Sequence, residues 1–234
     1  MRKEKVAVLI PAAGQGTRMG GRRKQFRMLG GKPLLVQTLL VFERHPDVDY
    51  ILVATPSEAV QALSRELRAV GITKLATVVA GGTTRQASVA AALRATPEPV
   101  GIVLVHDAVR PFVRPAQVAG VIDMVRRAGA AALAVPITDT LRKGQNECFG
   151  QTVAREGLFA MQTPQGFRRA WLEAAHVEAA HQGHRSTDDV ELVQWLGYEV
   201  QLVPGSTRNI KITTPDDWEV AQVLWPYWEV ERER

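Results

Sequence analysis

The 234-residue sequence predicts an α/β fold, one mostly parallel β-sheet with helices on both faces. Three observations predict it. Short apolar runs alternate with segments of helical spacing along most of the chain. The strand-like runs are continuously apolar, as strands covered on both faces are. Small-residue loops follow several of them, where the carboxyl ends of parallel strands meet a ligand crevice.

In order, VAVLI (Val6 to Ile10) is a buried strand ended by Pro11, and Pro33 to Arg44 carries Leu35, Leu39 and Phe42 at helical spacing. YILVAT (Tyr50 to Thr55) is the next strand, and Pro56 and Ser57 open a helix through Val70. TVVAGG, RQASVAAALRA and GIVLVHDA repeat strand, helix and strand. Proline at a tolerated first-turn position opens a helix from Pro115 to Ala128, and AALAVP follows as a buried strand. Such alternation implies right-handed crossovers. The pattern breaks between Ile137 and Glu156, a polar stretch with Gly144 and Gly150 that reads as an extended arm or hairpin projecting from the sheet. A two-stranded ribbon is marginal in water, so the arm is expected to pack on something, a second subunit first of all. Helices near Arg168 to His181 and Asp188 to Leu196, a strand near Glu199 to Val203, and a helix from Pro215 complete the chain. WPYWEVERER is expected to be a docked tail or a subunit contact.

Composition sets limits. Hydrophobic residues are 46% and charged residues 23%, ordinary for a globular protein with one full core. No apolar run approaches the roughly 20 residues that cross a bilayer, so no membrane role is expected. One cysteine, Cys148, excludes an intrachain disulfide and suits a reducing cytoplasmic setting. The net charge of +5 suits anionic partners. Neither a lysine-rich tail nor an aromatic-basic alternation occurs, and no nucleic-acid partner is expected.

The chemistry concentrates after the first strand, in PAAGQGTRMGGRRKQFRMLGGKP. Ala12, Ala13, Gly14 and Gly16 let the backbone approach a bound group, and Arg18, Arg22, Arg23, Lys24, Arg27 and Lys32 follow with no acid among them. Such a loop can wrap a triphosphate with backbone N–H groups and cations together. It matches neither the P-loop nor the dinucleotide fingerprint. GIVLVHDAVRP places Asp107 just past a buried strand, where an aspartate can hold Mg²⁺ together with phosphate oxygens and water; a turn cap is the competing role. Arg110 would face the anion of a second substrate, and His106 is expected to pack at the strand end. In AGGTTRQAS, Gly82 and Ser88 either read a nucleobase or form an ordinary turn and helix cap. His176, His181 and His184 lack metal spacing and are expected on a solvated helix face.

Together these motifs resemble the 2-C-methyl-D-erythritol 4-phosphate cytidylyltransferase family of the non-mevalonate isoprenoid pathway. The resemblance covers nearly the whole chain in order: PAAGQGTRMG with Lys24-Gln25, AGGTTRQASV, HDAVRPFV, ITDT, AREGLFAMQTPQGF, STDDVEL and NIKITTPDD. It implies a Rossmann-like sheet of the nucleotidyltransferase type, a single domain over residues 1–234 with a dimerisation arm at about 137–156, and transfer of CMP from CTP to a polyol phosphate with Mg²⁺. It implies that Arg18 and Lys24 stabilise the α-phosphate, that Ala12, Ala13, Gly14, Gly82 and Ser88 hold the nucleotide, and that Asp107 is the metal ligand beside the second substrate. Arg110, Thr163, Thr187 and Lys211 match positions around that substrate. Thr140 and Arg155 match arm residues that reach into a partner subunit's site in a homodimer. Two positions depart from the pattern: Thr83 and Arg208 stand where some relatives carry an acid. A ribitol 5-phosphate cytidylyltransferase shares most of these motifs. A GTP-dependent transferase and a catalytically silent nucleotide-binding subunit are the remaining alternatives.

Overall fold

The structure is a computed structural model that describes residues 4–14 and 24–232, with the backbone alone for Lys24 and Arg232. Strand β1 (Lys5–Pro11) is followed, after a 3-10 turn at Lys24–Phe26, by a small hairpin of β2 (Met28–Leu29) and β3 (Lys32–Pro33). Helix α1 (Leu34–Glu43), β4 (Tyr50–Thr55), α2 (Val60–Ala69), β5 (Leu75–Ala80), α3 (Arg85–Arg94) and β6 (Val100–Val105) come next. Then follow α4 (Pro115–Ala128), β7 (Ala130–Pro136), the hairpin β8 (Leu141–Gln145) and β9 (Cys148–Val153), and β10 (Phe159–Arg168). The chain ends in α5 (Arg169–Gln182), α6 (Asp189–Trp195), β11 (Gln201–Pro204) and α7 (Pro215–Arg232).

Seven strands form the main sheet in the order β11-β7-β10-β6-β1-β4-β5. All pairings are parallel except those of β10, which runs antiparallel between β6 and β7. Successive residues of β1 enter opposite cores, as the two-residue period of a strand requires. Val6, Val8 and Ile10 pack against α1, α2 and α4 through Leu39, Leu67 and Ile122. Ala7 and Leu9 join Val89 of α3 and Leu172 of α5 on the other face. Each buried valine, leucine or isoleucine among them contributes about 1.5–3 kcal/mol. The expected mostly parallel sheet with helices on both faces is therefore present. From β1 the order runs outward through β4 to β5, then returns to β6 on the other side of β1. That reversal opens a crevice at the carboxyl ends of β1 and β6.

Two sequence expectations change. No element is expected between the arm and the helix near Arg168, yet β10 lies there, inside the sheet. Its polar run Gln162, Thr163 and Gln165, with Pro164, hides the strand, but those polar side chains are buried. Gly166 is required there because a Cβ would stand 2.7–2.8 Å from Val121, Leu104 and Val125 side-chain atoms. The second change concerns His176, which is buried at 8% exposure instead of lying on a solvated face.

The arm is a hairpin as expected, with Asn146 and Glu147 at φ 50° and 63° in its two-residue turn. Its strands pair only with one another, and Phe149 at its tip is 87% exposed. The aromatic tail docks through α7: Trp218, Trp225 and Trp228 form a third core with Leu29, Leu34, Phe112 and Ile212. Among the described residues no helix is long and apolar enough to cross a membrane.

Candidate active site

The crevice is built first from backbone. The Ala12 N–H donates to the Ala54 carbonyl at 2.7 Å, and the Gly81 N–H to the Thr55 carbonyl at 2.7 Å. The loops after β1 and β5 thus leave the sheet side by side. A Cβ on Gly81 would lie 2.6 Å from the Ala13 Cβ and 2.8 Å from the Ser88 Oγ; one on Gly82 would lie 2.4 Å from the Ala87 Cβ. Only glycine permits this contact between the two loops and the start of α3. Thr84 caps that helix by accepting the Ala87 N–H at 3.0 Å. The buried Ser88 hydroxyl accepts the Gly82 N–H at 3.2 Å and donates to the Thr84 carbonyl at 2.9 Å. Ser88 therefore holds the turn that Gly82 presents, and both sequence readings of this segment meet in one structure. The buried Gln25 amide donates to the Ala12 carbonyl at 3.0 Å, tying the far end of the basic segment back to β1. Gly16 and Arg18 lie outside the described residues, as does the Lys24 side chain.

Across the crevice, Asp107 follows β6. Its Oδ2 accepts a hydrogen bond from the Arg110 Nε at 3.0 Å and pairs with the Lys211 Nζ at 3.1 Å, while the Arg85 Nε stands 3.6 Å from Oδ1. Burial alone would raise its pKa, but Lys211, Arg85 and Arg110 together hold the carboxyl well below the usual carboxylate range. Among the described residues the carboxylate meets these cations and accepts no backbone N–H, so no turn cap by its side chain is seen there. Arg110 also donates to the Asn209 carbonyl at 2.7 Å, and the Asn209 amide donates to the Thr163 carbonyl at 3.0 Å. The segment carrying Lys211 is thereby fixed to β10 and to the Asp107 loop.

His106 packs edge-on against Phe42, with ring centroids 4.8 Å apart. Its Nε2 lies 3.0 Å from the Arg110 carbonyl, which can only accept, so Nε2 carries the proton. Burial lowers its pKa to about 4 and keeps the ring neutral, leaving Nδ1 as an acceptor. Thr163 Oγ1 donates to that Nδ1 at 3.1 Å and accepts the Asp107 N–H at 3.1 Å. His106 is thus a structural brace, as the sequence suggests.

Among the sequence-derived residues, the crevice unites Ala12, Ala13, Gly14, Gly82 and Ser88 at one wall and Asp107, Arg110, Thr163 and Lys211 at the other. Thr187 lies in the exposed turn before α6, where its N–H and Oγ1 meet the Glu191 carboxylate at 3.0 and 3.3 Å. Thr140 and Arg155 stand apart, exposed at the base of the arm, where the Arg155 guanidinium donates to the Thr138 carbonyl. Arg208 pairs with Glu231 at 2.7 Å, a cation committed to α7.

Sequence reasoning missed Arg85 and Asp189. Arg85 begins α3, where a helix dipole disfavours a cation. Two carboxylates offset this, for its Nη1 lies 2.6 Å from the Asp189 Oδ2 and its Nε faces Asp107. Burial works against its charge, yet Asp189 and Asp107 raise its pKa. A cation in a first turn was the signal that could have found it. Asp189 is fully buried; burial would raise its pKa, but Arg85 holds it below the ordinary value.

An open α/β sheet whose switch point sets a small-residue loop opposite an aspartate and a cluster of cations is built to take an anionic ligand at its carboxyl edge, as a nucleotidyltransferase requires. Comparison with known proteins specifies which. Residues 6–225 match the family model described as 2-C-methyl-D-erythritol 4-phosphate cytidylyltransferase, and the chain belongs to that family. A Salinibacter ruber protein of that name is 58% identical over 229 residues, covering 98% of this chain and 96% of the relative. The crystal structure of a Thermus thermophilus protein of that name superposes with a TM-score of 0.80 at 42% identity, covering 93% of this chain and 96% of its own. That of the Francisella tularensis protein gives 0.81 at 31% identity, covering 94% and 99%.

Proposed function

We propose that this enzyme transfers CMP from CTP to 2-C-methyl-D-erythritol 4-phosphate, releasing pyrophosphate, as a homodimer in the cytoplasm. The observation that carries the reading is the juxtaposition, across one crevice, of the Ala12–Gly14 and Gly82 backbone with the Asp107, Arg110 and Lys211 cluster. The family supports the identity of both substrates.

An oxygen of the acceptor phosphate forms a bond to the α-phosphorus of CTP, and the bond from that phosphorus to pyrophosphate breaks. The nucleophile is already an anion, so no serine, cysteine or general base is needed. What the protein supplies is position and charge. Backbone N–H groups at Ala12, Ala13, Gly14 and Gly16, with the turn at Gly82 and Ser88, would seat the nucleotide. Arg18 and Lys24 would meet the α-phosphate where negative charge develops. Lys211 would hold the incoming phosphate, while Arg110 is spent on bracing Asp107 and the Asn209 segment. Thr163, bonded to the Asp107 backbone, and Thr187, in the turn before α6, would contact the acceptor.

Asp107 fits a magnesium ligand. It is ionised and faces the crevice, and its Oδ1 accepts no hydrogen bond among the described residues. No group of three or more metal-binding side chains occurs among those residues, which suits an ion that takes most of its ligands from phosphate and water. Bound there, Mg²⁺ would offset the repulsion between the two anionic substrates.

The arm supports the dimer. Thr140 and Arg155 meet nothing of their own chain's Asp107 cluster among the described residues, and they sit on an exposed hairpin suited to reach a second copy. Residues 1–234 are read as one nucleotidyltransferase domain with its dimerisation arm at about 137–156. The cytoplasm, where a lone exposed Cys148 stays reduced, suits this chemistry.

The test is pyrophosphate release by purified protein with Mg²⁺, each of the four NTPs being offered with methylerythritol phosphate or ribitol phosphate. Release with CTP and methylerythritol phosphate alone is expected. Release with ribitol phosphate in its place would keep the chemistry and change the acceptor. A folded protein that binds CTP and releases nothing would be a silent subunit.

A further inference from the structure

The charge cluster continues behind the crevice. The Asp189 carboxylate is fully buried, and its Oδ2 lies 2.6 Å from the Arg85 Nη1. Gln165 of β10 holds this aspartate in place: its Oε1 accepts the Asp189 N–H at 3.1 Å, and its Nε2 donates to the Asp188 Oδ2 at 2.9 Å. On the far side, the His176 Nε2 stands 3.5 Å from the Asp189 Oδ1 without hydrogen-bond geometry. The guanidinium is planar and rigid, so fixing Nη1 also fixes Nε. Nε is held 3.6 Å from the Asp107 Oδ1, close enough to lend its charge and too far for a good hydrogen bond. Oδ2 of Asp107 is already taken by Arg110 and Lys211. Among the described residues, Oδ1 is the oxygen with acceptor capacity left for a ligand.

We infer that Asp189 is a positioning residue for the transfer reaction: it holds Arg85 back from Asp107, which keeps Oδ1 open toward the crevice. The inference rests on the reading of Asp107 as the residue that meets metal-bound nucleotide and acceptor. Without the Asp189 charge, the nearest anion to Arg85 is the Asp107 Oδ1. Closing that gap would turn a distant charge into a hydrogen bond and block the oxygen.

Three proteins test this: wild type, Asp189→Asn, and the double variant Arg85→Gln/Asp189→Asn. One readout needs no turnover, namely the Mg²⁺ concentration at half-maximal thermal stabilisation with CTP and no acceptor. The other is kcat and KM for methylerythritol phosphate. Asp189→Asn is expected to raise the Mg²⁺ midpoint and the acceptor KM by about tenfold, the scale of one charge-assisted hydrogen bond competing for Oδ1. Its kcat should change by less than about threefold, because the groups proposed to meet the α-phosphate are untouched. The double variant removes the competitor and should return the Mg²⁺ midpoint to within about threefold of wild type, with neutral amides in place of a buried ion pair. An unchanged midpoint in Asp189→Asn, or a double variant no better than the single one, would overturn the inference. If Asp189→Asn does not fold, Asp189→Glu pushes the guanidinium toward Asp107 by one methylene and should raise both values; wild-type values there would equally overturn it. Wild-type pyrophosphate release is a separate control: its absence would count against the reaction itself, whereas the midpoints bear on positioning.

Discussion

Replacing Asp107 by asparagine should destabilise the protein even without nucleotide or metal. The carboxylate faces the Arg110 Nε at 3.0 Å, the Lys211 Nζ at 3.1 Å and the Arg85 Nε at 3.6 Å. At an effective dielectric of about 20, a pair at roughly 3 Å gains about 5 kcal/mol before desolvation is charged against it. Lys211 is 42% exposed, so solvent screens its share and little is assigned to it. The loss that counts is the anion between two largely buried guanidiniums, and removing one partner of a buried pair costs about 3–5 kcal/mol. Asparagine keeps one acceptor but turns an N–H donor toward cations. We expect a loss of about 3 kcal/mol in urea unfolding followed by tryptophan fluorescence at pH 7. The effect carries its own pH signature. Asp107 has its pKa depressed in the folded state, so its contribution is complete above the ordinary value of 3.8 and fades only as pH falls below it. The gap between wild type and variant should therefore hold constant from pH 7 to 5 and narrow below 3.8. A variant within about 1 kcal/mol of wild type at pH 7 would refute the view that Asp107 neutralises this cluster.

Further expectations are independent of that one. Gly82→Ala places a Cβ 2.4 Å from the Ala87 Cβ, so the turn must move; the CTP dissociation constant measured calorimetrically should rise about tenfold or more, and urea unfolding should show a loss of about 1–3 kcal/mol. Gly30→Ala meets both a φ of +53° and the Trp225 ring at 1.7 Å, which should loosen α7 and cost about 3 kcal/mol or more by urea unfolding; a neutral effect would deny the docking of this helix. Arg155→Ala and Asp107→Asn, each inactive alone, should recover part of the activity as mixed dimers, because one intact crevice then meets one intact arm; verified heterodimers without activity would argue for sites built within one chain. His106 should remain neutral with its proton on Nε2 down to about pH 4, as nitrogen chemical shifts would report. Its lowered pKa means that its share of stability is complete above the ordinary 6.5 and drains away as pH falls from there to about 4.

Much of this was legible in the sequence because it is local. The strands at Val6–Ile10 and Tyr50–Thr55 and the helix from Pro115 to Ala128 are written in apolar period and in turn residues, and neighbours along the chain enforce them. Asp107 and the Ala12–Gly14 loop could be picked out because a buried strand delivers the residues after it to the carboxyl edge of the sheet. Tertiary structure decided the rest. β10 has no period to read; its polar side chains are stable inside the sheet because distant partners satisfy them, as Asn209 does for Gln162 from 47 residues away. Arg85 and Asp189 are separated by 104 residues, and Arg110 and the Asn209 carbonyl by 99, so no spacing rule could join them. Local sequence set which residues form strands, helices and turns, through backbone preference and hydrophobic period. Which charges meet depends on long-range packing, because a buried charge is held wherever the folded chain brings its counter-charge.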